Sequence, residues 1–287
     1  MIVSTPIREA VEFVAYPGGP RCRCTSEPAG RRPRGTVLLA PPFAEEQNKA
    51  RRMCARFARL LAAEGWRVVR LDLYGCGDSA GEFRDASWER WVEDLRTEAR
   101  LIGAEGGPSW LWCVRAGALF APQVLEMMPT ANLLLWQPVP KGATHLQQFL
   151  RQSMAAQLFG QGKRSVAELA PAQRLATGET IEVGGYELSP AVASGLQAAV
   201  LLPADGRGRH AAWLDVASGQ DAGVSPATLR ASEVLRANDW QVEVGQVAGA
   251  PFWQSVEVVE NKPLLQLSRD VIARLPSHPA SIQSHAA

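Results

Sequence analysis

The sequence lacks the features that would assign it to a membrane, secreted or nucleic-acid-binding class. It contains no run of about 18 apolar residues, so we expect no transmembrane helix. The segment 1–15 mixes Arg8, Glu9 and Glu12 with its apolar residues and therefore lacks the apolar core of a signal peptide. The formal net charge is only +1, which gives no electrostatic reason to bind nucleic acid or an anionic membrane surface.

Cysteine patterns and cofactor motifs are also scarce. The five cysteines are odd in number and scattered, which favours free thiols in a reducing cytoplasm. Cys22 and Cys24 form a single C-x-C without a partner pair, and this does not define a metal site. We therefore expect neither a metal ion nor an organic cofactor.

What the sequence does contain is an alternation of short apolar runs and amphipathic segments. With 287 residues, the chain fits one large α/β domain or a domain with a small insert. Buried strands alternating with helices are typical of parallel βαβ units. The pattern predicts strands at 11–16, 21–25, 36–40, 66–73, 110–114, 131–136, 211–216 and 240–247, and helices at 46–65, 87–102, 117–128, 226–238 and 262–275.

The alternation stops at about residue 141. The segment 141–206 is mainly helical or irregular, with helices predicted at 146–157, 166–175 and 190–196 and a small extended piece at 180–188. Leu146, Phe149, Leu150 and Met154 stand at helical spacing and give one apolar face. We therefore predict a core formed by 1–140 and 207–275, and a cap formed by 141–206 that lies over the carboxyl ends of the strands. The tail 276–287 has no apolar periodicity and is expected to be disordered. This is the layout of the α/β-hydrolase fold, a mostly parallel, doubly wound sheet with a mainly helical cap.

The segment 72–81 (Asp-Leu-Tyr-Gly-Cys-Gly-Asp-Ser-Ala-Gly) is the most specific local motif. It leaves a predicted strand and turns sharply, with glycines where the backbone needs positive φ or close approach. Many α/β-hydrolases carry a similar Asp-x-x-Gly-x-Gly-x-Ser segment here, with a structural role. We therefore assign no chemistry to Asp78 or Ser79.

The strand-to-turn segment 112–117 matches the position of the G-x-S-x-G nucleophile elbow. Cys113 stands at its first glycine, Arg115 at the nucleophile and Gly117 at its last glycine. An arginine stays protonated and cannot act as a nucleophile.

The acid and base positions of a catalytic triad are also altered. Asp221 lies in a segment that resembles the acid loop of many hydrolases, although a surface aspartate in a turn explains it equally well. The loop after the last strand reads Gly-Ala-Pro-Phe-Trp-Gln at 249–254, so Trp253 and Gln254 stand where a histidine is expected. None of the four histidines, at 145, 210, 278 and 285, sits where a base is needed.

The loop after the strand 36–40 supplies further candidate residues. The amide of Phe43, paired with that of Ala116, is a candidate oxyanion hole. Glu45 and Glu46 begin the next helix, where carboxylates favour its positive end. The functional alternative is that one of them faces the pocket beside Arg115. A buried Arg115 needs such a partner, or Asp221, or a bound phosphate or carboxylate.

Several segments together resemble one protein family. They are 42–49 (Pro-Phe-Ala-Glu-Glu-Gln-Asn-Lys), 72–81, 133–138 (Leu-Leu-Leu-Trp-Gln-Pro), 185–190 (Gly-Tyr-Glu-Leu-Ser-Pro) and 251–254 (Pro-Phe-Trp-Gln). The chain resembles the type 2 hydrolase associated with the exosortase A system of Gram-negative bacteria. The resemblance implies a cytoplasmic protein linked to exopolysaccharide synthesis and PEP-CTERM protein sorting. It also implies that arginine at the elbow is a family trait, whereas many members have histidine where this chain has Pro41.

Three hypotheses follow. The first is a hydrolase or acyl transferase of the ester or thioester class with a degenerate triad, using Asp221, Glu45 or Glu46 as general base for water. The second is a binding protein on a hydrolase scaffold, with Arg115 holding the anionic group of a small-molecule or acyl ligand. The third is an accessory protein of the exosortase or polysaccharide machinery.

Overall fold

The computed structural model describes residues 6–159, 169–202, 205–217, 219, 223–255, 257 and 259–274, and only the backbone of 152–159. The predicted tail 276–287 and the candidate acid Asp221 lie outside the described residues.

Eight strands form one sheet, and two more form a hairpin in the insert. The strands are β1 Ile7–Val14, β2 Arg21–Pro28, β3 Thr36–Ala40, β4 Arg67–Leu71, β5 Ser109–Val114, β6 Asn132–Trp136, β7 Ile181–Val183, β8 Tyr186–Leu188, β9 His210–Ala217 and β10 Gln241–Ala248. The large sheet has the order β1-β2-β4-β3-β5-β6-β9-β10. Among the described strands of this sheet, only β2 runs opposite to the others, so the mostly parallel sheet predicted from the alternation is confirmed.

Helices cover both faces of this sheet. They are α1 Glu45–Ala63, α2 Trp88–Glu105, α3 Ala121–Val124, α4 Gly142–Phe159, α5 Pro171–Ala176, α6 Pro190–Ala198, α7 Pro226–Arg236 and α8 Lys262–Arg274. One buried cluster joins the sheet to α1 and α8, and the other joins it to α2, α3, α4, α6 and α7. This is a doubly wound arrangement.

The strand sequences explain why the sheet is covered on both faces. Successive side chains of a strand point to opposite faces. In β5, Trp110 and Trp112 enter the cluster beneath α1 and α8, whereas Leu111 and Cys113 enter the other. The ring centroids of Phe57 in α1 and of Trp112 are 4.9 Å apart. All six residues of β5 are buried, which is why it reads as an apolar run without alternation.

The prediction of one regular helix over 117–128 is wrong. The chain instead forms a 3₁₀ helix, Arg115–Phe120, followed by the single α-turn α3. Pro122 has no N–H, so an α-helix starting at Gly117 would lose its bond to the carbonyl of Ala118. The chain therefore restarts with Pro122 in the first turn of α3, where no such bond is needed.

The described residues of 141–206 pack against segments that follow the carboxyl ends of the parallel strands. The strand β8 contacts the turn 83–85 after β4, and α4 contacts the 3₁₀ helix after β5. In the hairpin, the Tyr186 hydroxyl donates to Glu45 and accepts from Asn48, both in α1 just after β3. In α4, Leu146, Phe149 and Leu150 are buried as their helical spacing predicts. The side chain of Met154, assigned to the same face, lies outside the described residues, as does the first part of the predicted helix 166–175. None of the described helices is both long and apolar enough to cross a membrane.

Candidate functional site

The site is centred on the turn that follows β5. Arg115 directly follows the last residue of that strand and has φ of 54°, a left-handed conformation that is costly for a residue with a side chain. A Cβ atom at Gly117 would lie 2.2 Å from the carbonyl oxygen of Ala40. Glycine at this position therefore allows the turn to pass close beneath the end of β3. Both features are those of a sharp strand-to-helix elbow.

The Arg115 side chain has three partners. Its Nε and Nη2 donate to Glu46 Oε1 at 3.1 and 3.0 Å, and its Nη1 donates to the carbonyl oxygen of Gln137 at 3.1 Å. Its guanidinium carbon lies 4.9 Å from the ring centroid of Trp253, within the range of a cation–π contact. Thus α1, the end of β6 and the loop after β10 all contribute to fixing the arginine.

These partners do not use all the hydrogen-bonding capacity of Arg115. A guanidinium has five N–H donors, and the three hydrogen bonds leave two. The side chain is 15% exposed and lines a cavity. Arg115 is therefore held in place by an internal salt bridge while still offering donors to a ligand.

The Glu46 side chain is largely buried, whereas a carboxylate that only favours the positive end of a helix can stay in solvent. Burial raises the pKa of its carboxyl group, and the Arg115 guanidinium opposes this shift. Its Oε1 accepts both bonds from Arg115, whereas Oε2 is buried and has no hydrogen-bond partner among the described residues. An unsatisfied buried acceptor of this kind costs about 1–3 kcal/mol.

His145 of α4 lies beside this unsatisfied oxygen. Its Nε2 is 3.9 Å from Glu46 Oε2, and within the described structure neither ring nitrogen has a hydrogen-bond partner. Burial lowers the pKa of His145 to about 4, and the nearby Arg115 charge contributes to the shift. The imidazole is therefore neutral at neutral pH, and its contact with Glu46 is not an ion pair.

His145 is a site residue that the sequence did not predict. The histidine of a catalytic triad is expected in the loop after the last strand, whereas His145 belongs to the insert. The available signal was its place one residue before Leu146, at the start of a predicted apolar helix face. That spacing shows that the helix packs on the core, but not against which core residue.

A cavity of about 610 Å³ opens above Arg115. This lies within the range of roughly 300–1,000 Å³ that is usual for small-molecule sites. Its walls are mostly proline, valine, leucine and alanine from the loop after β6, the insert and α7. Its polar side chains are Arg115, Lys141, Thr144, His145, Gln148 and Arg230. No carboxylate of the described residues lines it.

The cavity therefore has a positive electrostatic character. Glu46 balances the charge of Arg115, but Lys141 and Arg230 have no acidic partner within 4.0 Å in the described part of the chain. His145 adds no charge at neutral pH. Two uncompensated cations beside apolar walls favour a ligand with both an anionic group and an apolar part.

The candidate oxyanion residues lie together at a different place. Phe43 and Ala116 both line a cleft of about 10 Å³. Aromatic rings close it, among them Trp88, Trp91 and Phe120. A cavity needs about 10–15 Å³ to hold one water molecule, so this cleft has no room for an acyl group. The space beside the predicted oxyanion amides is filled by side chains.

Other predicted site residues take different positions. Glu45 extends away from Arg115, with its carboxylate 3.6 Å from Lys49 Nζ and hydrogen-bonded to Tyr186. Trp253 is buried against Arg115, whereas Gln254 is exposed and does not line the cavity. Asp221 falls in a segment that the structure does not describe, so its relation to Arg115 stays a prediction.

One group of side chains in the described ranges has donors close enough to hold a metal ion. The ligand atoms of Cys22, Asp72 and Asp78 lie within 4.8 Å of one another. Asp72 is already engaged, because it accepts the amide of Asp78 at 3.1 Å and lies 3.7 Å from Arg51. Ser79 of the same turn donates to the backbone of Asp72 and accepts from that of Cys22. These contacts support a structural role for the segment.

Comparison with known proteins establishes the fold. No family model matches the chain, and a search of curated proteins also finds no match. Among solved structures, it resembles Est1E from Butyrivibrio proteoclasticus, determined with bound ferulic acid, with a TM-score of 0.61 and 13% identity over 91% of this chain and 98% of that one. A monoglyceride lipase from Saccharomyces cerevisiae gives a TM-score of 0.58 and 12% identity over 98% and 99% of the two chains. The thioesterase domain of a curacin biosynthetic pathway gives 0.53 and 15% over 91% and 99%.

The chain has the α/β-hydrolase fold. Each of these likenesses extends over more than nine-tenths of the chain. In an α/β-hydrolase fold the turn after β5 is the place of the nucleophile. Here that turn holds Arg115, and the loop after β10 places Trp253 against it.

Proposed function

We propose that this chain is a binding protein on an α/β-hydrolase scaffold, and that it holds an anionic, acyl-type small molecule in the cavity above Arg115. The observation that carries the proposal is the lining of that cavity. Arg115, Lys141 and Arg230 face a mostly apolar space with no carboxylate among the described residues that line it. Such a lining favours a ligand with a carboxylate or phosphate head and an apolar chain.

The elbow supports binding over catalysis. Arg115 cannot be deprotonated to attack a carbonyl, and the loop after β10 supplies Trp253 in place of a histidine base. The salt bridge with Glu46 fixes the arginine in one orientation. Fixed donors favour binding, because the protein need not order the side chain when the ligand arrives.

Calorimetric titration of the full chain tests the proposal. We expect decanoate and decyl phosphate to bind, and the uncharged methyl decanoate to bind at least about tenfold more weakly, because one favourable charged contact contributes about 1.4 kcal/mol or more. Arg230→Ala and Lys141→Ala should each weaken binding of the anions. Arg207→Ala is the matched control, since Arg207 is an exposed cation outside the cavity. Equal binding of charged and uncharged probes would exclude an anion site.

A hydrolase or acyl transferase is the second candidate function. It is favoured by the raised pKa of Glu46 and by its free Oε2, which are properties of a general base for water. The amides of Phe43 and Ala116 would then stabilise the oxyanion. The filled cleft beside those residues weighs against this candidate. Hydrolysis of an acyl thioester that is lost in Glu46→Gln, while ligand binding is kept, would establish it.

We further propose that the protein works in the cytoplasm with the exosortase or exopolysaccharide machinery. The support is the resemblance of the segments 42–49, 72–81 and 251–254 to the exosortase-associated hydrolases. A bacterial strain lacking the gene should show altered exopolysaccharide secretion or PEP-CTERM protein sorting. Wild-type protein should restore the phenotype and Arg230→Ala should not. Unchanged secretion and sorting in the deletion strain would contradict the assignment.

A further inference from the structure

Two buried polar groups meet behind the wall of the cavity, and they do not form a hydrogen bond with each other. Glu46 Oε2 and His145 Nε2 are 3.9 Å apart, which is too far for a hydrogen bond. Neither atom has another partner among the described residues, and His145 is only 5% exposed while lining the cavity. A buried side chain of this kind is normally satisfied by protein, water or ligand. A small polar group of a ligand could supply the hydrogen bonds that both atoms lack.

The chemistry of the two atoms selects that group. An ionised carboxylate only accepts hydrogen bonds, whereas a neutral imidazole has one N–H donor and one acceptor nitrogen. A carboxylate or fully ionised phosphate cannot donate to Glu46. An ammonium group can donate to it but is disfavoured by the charges of Arg115, Lys141 and Arg230. A hydroxyl group fits both partners, since it donates to Glu46 Oε2 and accepts from the N–H of His145.

The separation of the two atoms also suits a hydroxyl group. An oxygen atom about 2.8 Å from each would make a normal hydrogen bond to both. Both atoms are closed to solvent in this structure, so the hydroxyl group enters as the ring of His145, which lines the cavity, turns to admit it. Arg115 lines the same cavity and has two N–H donors left for an anionic group. Arg115 then binds the anionic group, and Glu46 and His145 bind the hydroxyl group. Because these side chains are neighbours, the two groups must lie close together in the ligand.

We infer that the ligand of this cavity is a hydroxylated amphiphilic anion, whose hydroxyl group lies near the anionic head and bridges Glu46 and His145. The inference rests on the proposed anion-binding function and adds the class of ligand. A hydroxy fatty acid is the simplest molecule of this class. An unsubstituted fatty acid is the matched compound that lacks only the hydroxyl group.

Calorimetry with 3-hydroxydecanoate and decanoate at neutral pH tests the inference. We expect wild-type protein to bind the hydroxy acid about tenfold more tightly, the usual value of one hydrogen bond to a charged acceptor. His145→Phe, whose aromatic ring fills a similar space, should remove this preference and bind the two acids with equal affinity. If His145→Phe does not fold, Glu46→Gln is the second variant. The amide of the new glutamine can donate to His145 directly, so this variant should also bind the two acids equally.

The outcomes separate the inference from the function on which it rests. If wild-type protein binds both acids equally, the anion site stands and the hydroxyl inference is wrong, as would follow if Glu46 and His145 rotated into a direct hydrogen bond. If both variants keep the preference, the hydroxyl group is recognised elsewhere and the inference is again wrong. If neither acid binds wild-type protein, while methyl decanoate and decyl phosphate also fail, the proposed function itself is rejected.

Discussion

Arg115 and Glu46 are joined through a single carboxylate oxygen. Two guanidinium nitrogens of Arg115, Nε and Nη2, donate to Oε1 at 3.1 and 3.0 Å, and Arg115 donates no hydrogen bond to Oε2. The carboxylate therefore satisfies the arginine with one oxygen and presents the other to His145. Glu46 therefore anchors the elbow through one oxygen, and its other oxygen lies next to a side chain that lines the cavity.

The first prediction concerns the stability of this pair. Arg115→Met should lower the free energy of unfolding in urea by about 2–4 kcal/mol, because it leaves the Glu46 carboxylate largely buried without a cation. The partial exposure of both side chains places the effect below that of a fully buried pair. The double variant Arg115→Met/Glu46→Gln should recover part of the loss, and Arg230→Ala should change stability by less than about 0.5 kcal/mol. Wild-type stability of Arg115→Met would show that the salt bridge contributes nothing.

The second prediction concerns pH. The pKa of His145 falls from 6.5 to about 4 on folding, so the unfolded chain takes up a proton that the folded state resists. The contribution of neutral His145 to stability is complete above pH 6.5 and is lost as pH drops toward 4, by up to about 3 kcal/mol. The raised pKa of Glu46 has the opposite sign and stabilises the folded state as pH falls.

Urea unfolding of wild-type protein and His145→Phe, at about pH 7.5 and about pH 5, separates the two groups. We expect the variant to lose less stability between these values than wild-type protein does. If the two proteins lose the same amount, His145 is not the group whose burial shifts its protonation.

A third prediction concerns reactivity. With arginine at the elbow and tryptophan in the loop after β10, the protein should not react covalently with fluorophosphonate probes. It should also show at most trace turnover of p-nitrophenyl esters. Intact-mass spectrometry after incubation with the probe is the measurement, with an active serine esterase as the positive control. Stoichiometric labelling of any serine would overturn the assignment of the elbow.

The fourth prediction concerns the close approach beneath the elbow. Gly117→Ala places a Cβ atom 2.2 Å from the carbonyl oxygen of Ala40, and only a backbone shift can relieve this contact. We expect a loss of about 3 kcal/mol or more in the free energy of unfolding, at the upper end of overpacking effects. Gly219→Ala is the control, because no described residue lies within 4 Å of its added Cβ. Equal stability of the two variants would mean that β3 and the elbow are less tightly packed than described.

Most of the fold could be predicted because its signals are local. Fully buried strands such as β3 and β6 read as short apolar runs, and α1 and α2 carry a regular apolar face. The Ser87 hydroxyl accepts the amide of Arg90, as its place before an apolar helix predicts. The failure at 117–128 also has a local cause, since Pro122 stops the α-helical pattern that the apolar spacing suggests.

The site could be predicted only in part, because its contacts are not local. The sequence places Arg115 at the elbow, and it offers Glu45, Glu46 and Asp221 as its acidic partner without deciding among them. Which of Glu45 and Glu46 faces Arg115 depends on the rotation of α1 about its axis. The position of His145 beside Glu46 depends on how the insert folds back over the sheet, and no residue spacing in the sequence predicts this.

The first turn of α1 carries two carboxylates with different partners. Successive helix residues point about 100° apart, so Glu45 reaches the cap through Tyr186 while Glu46 reaches the elbow through Arg115. The buried side of α1, with Met53 and Phe57, fixes the rotation of the helix about its axis and therefore fixes both directions. One residue inserted after Glu46 would turn both carboxylates by about 100° about that axis. The cap and the elbow would then lose their partners together, although no side chain had been replaced.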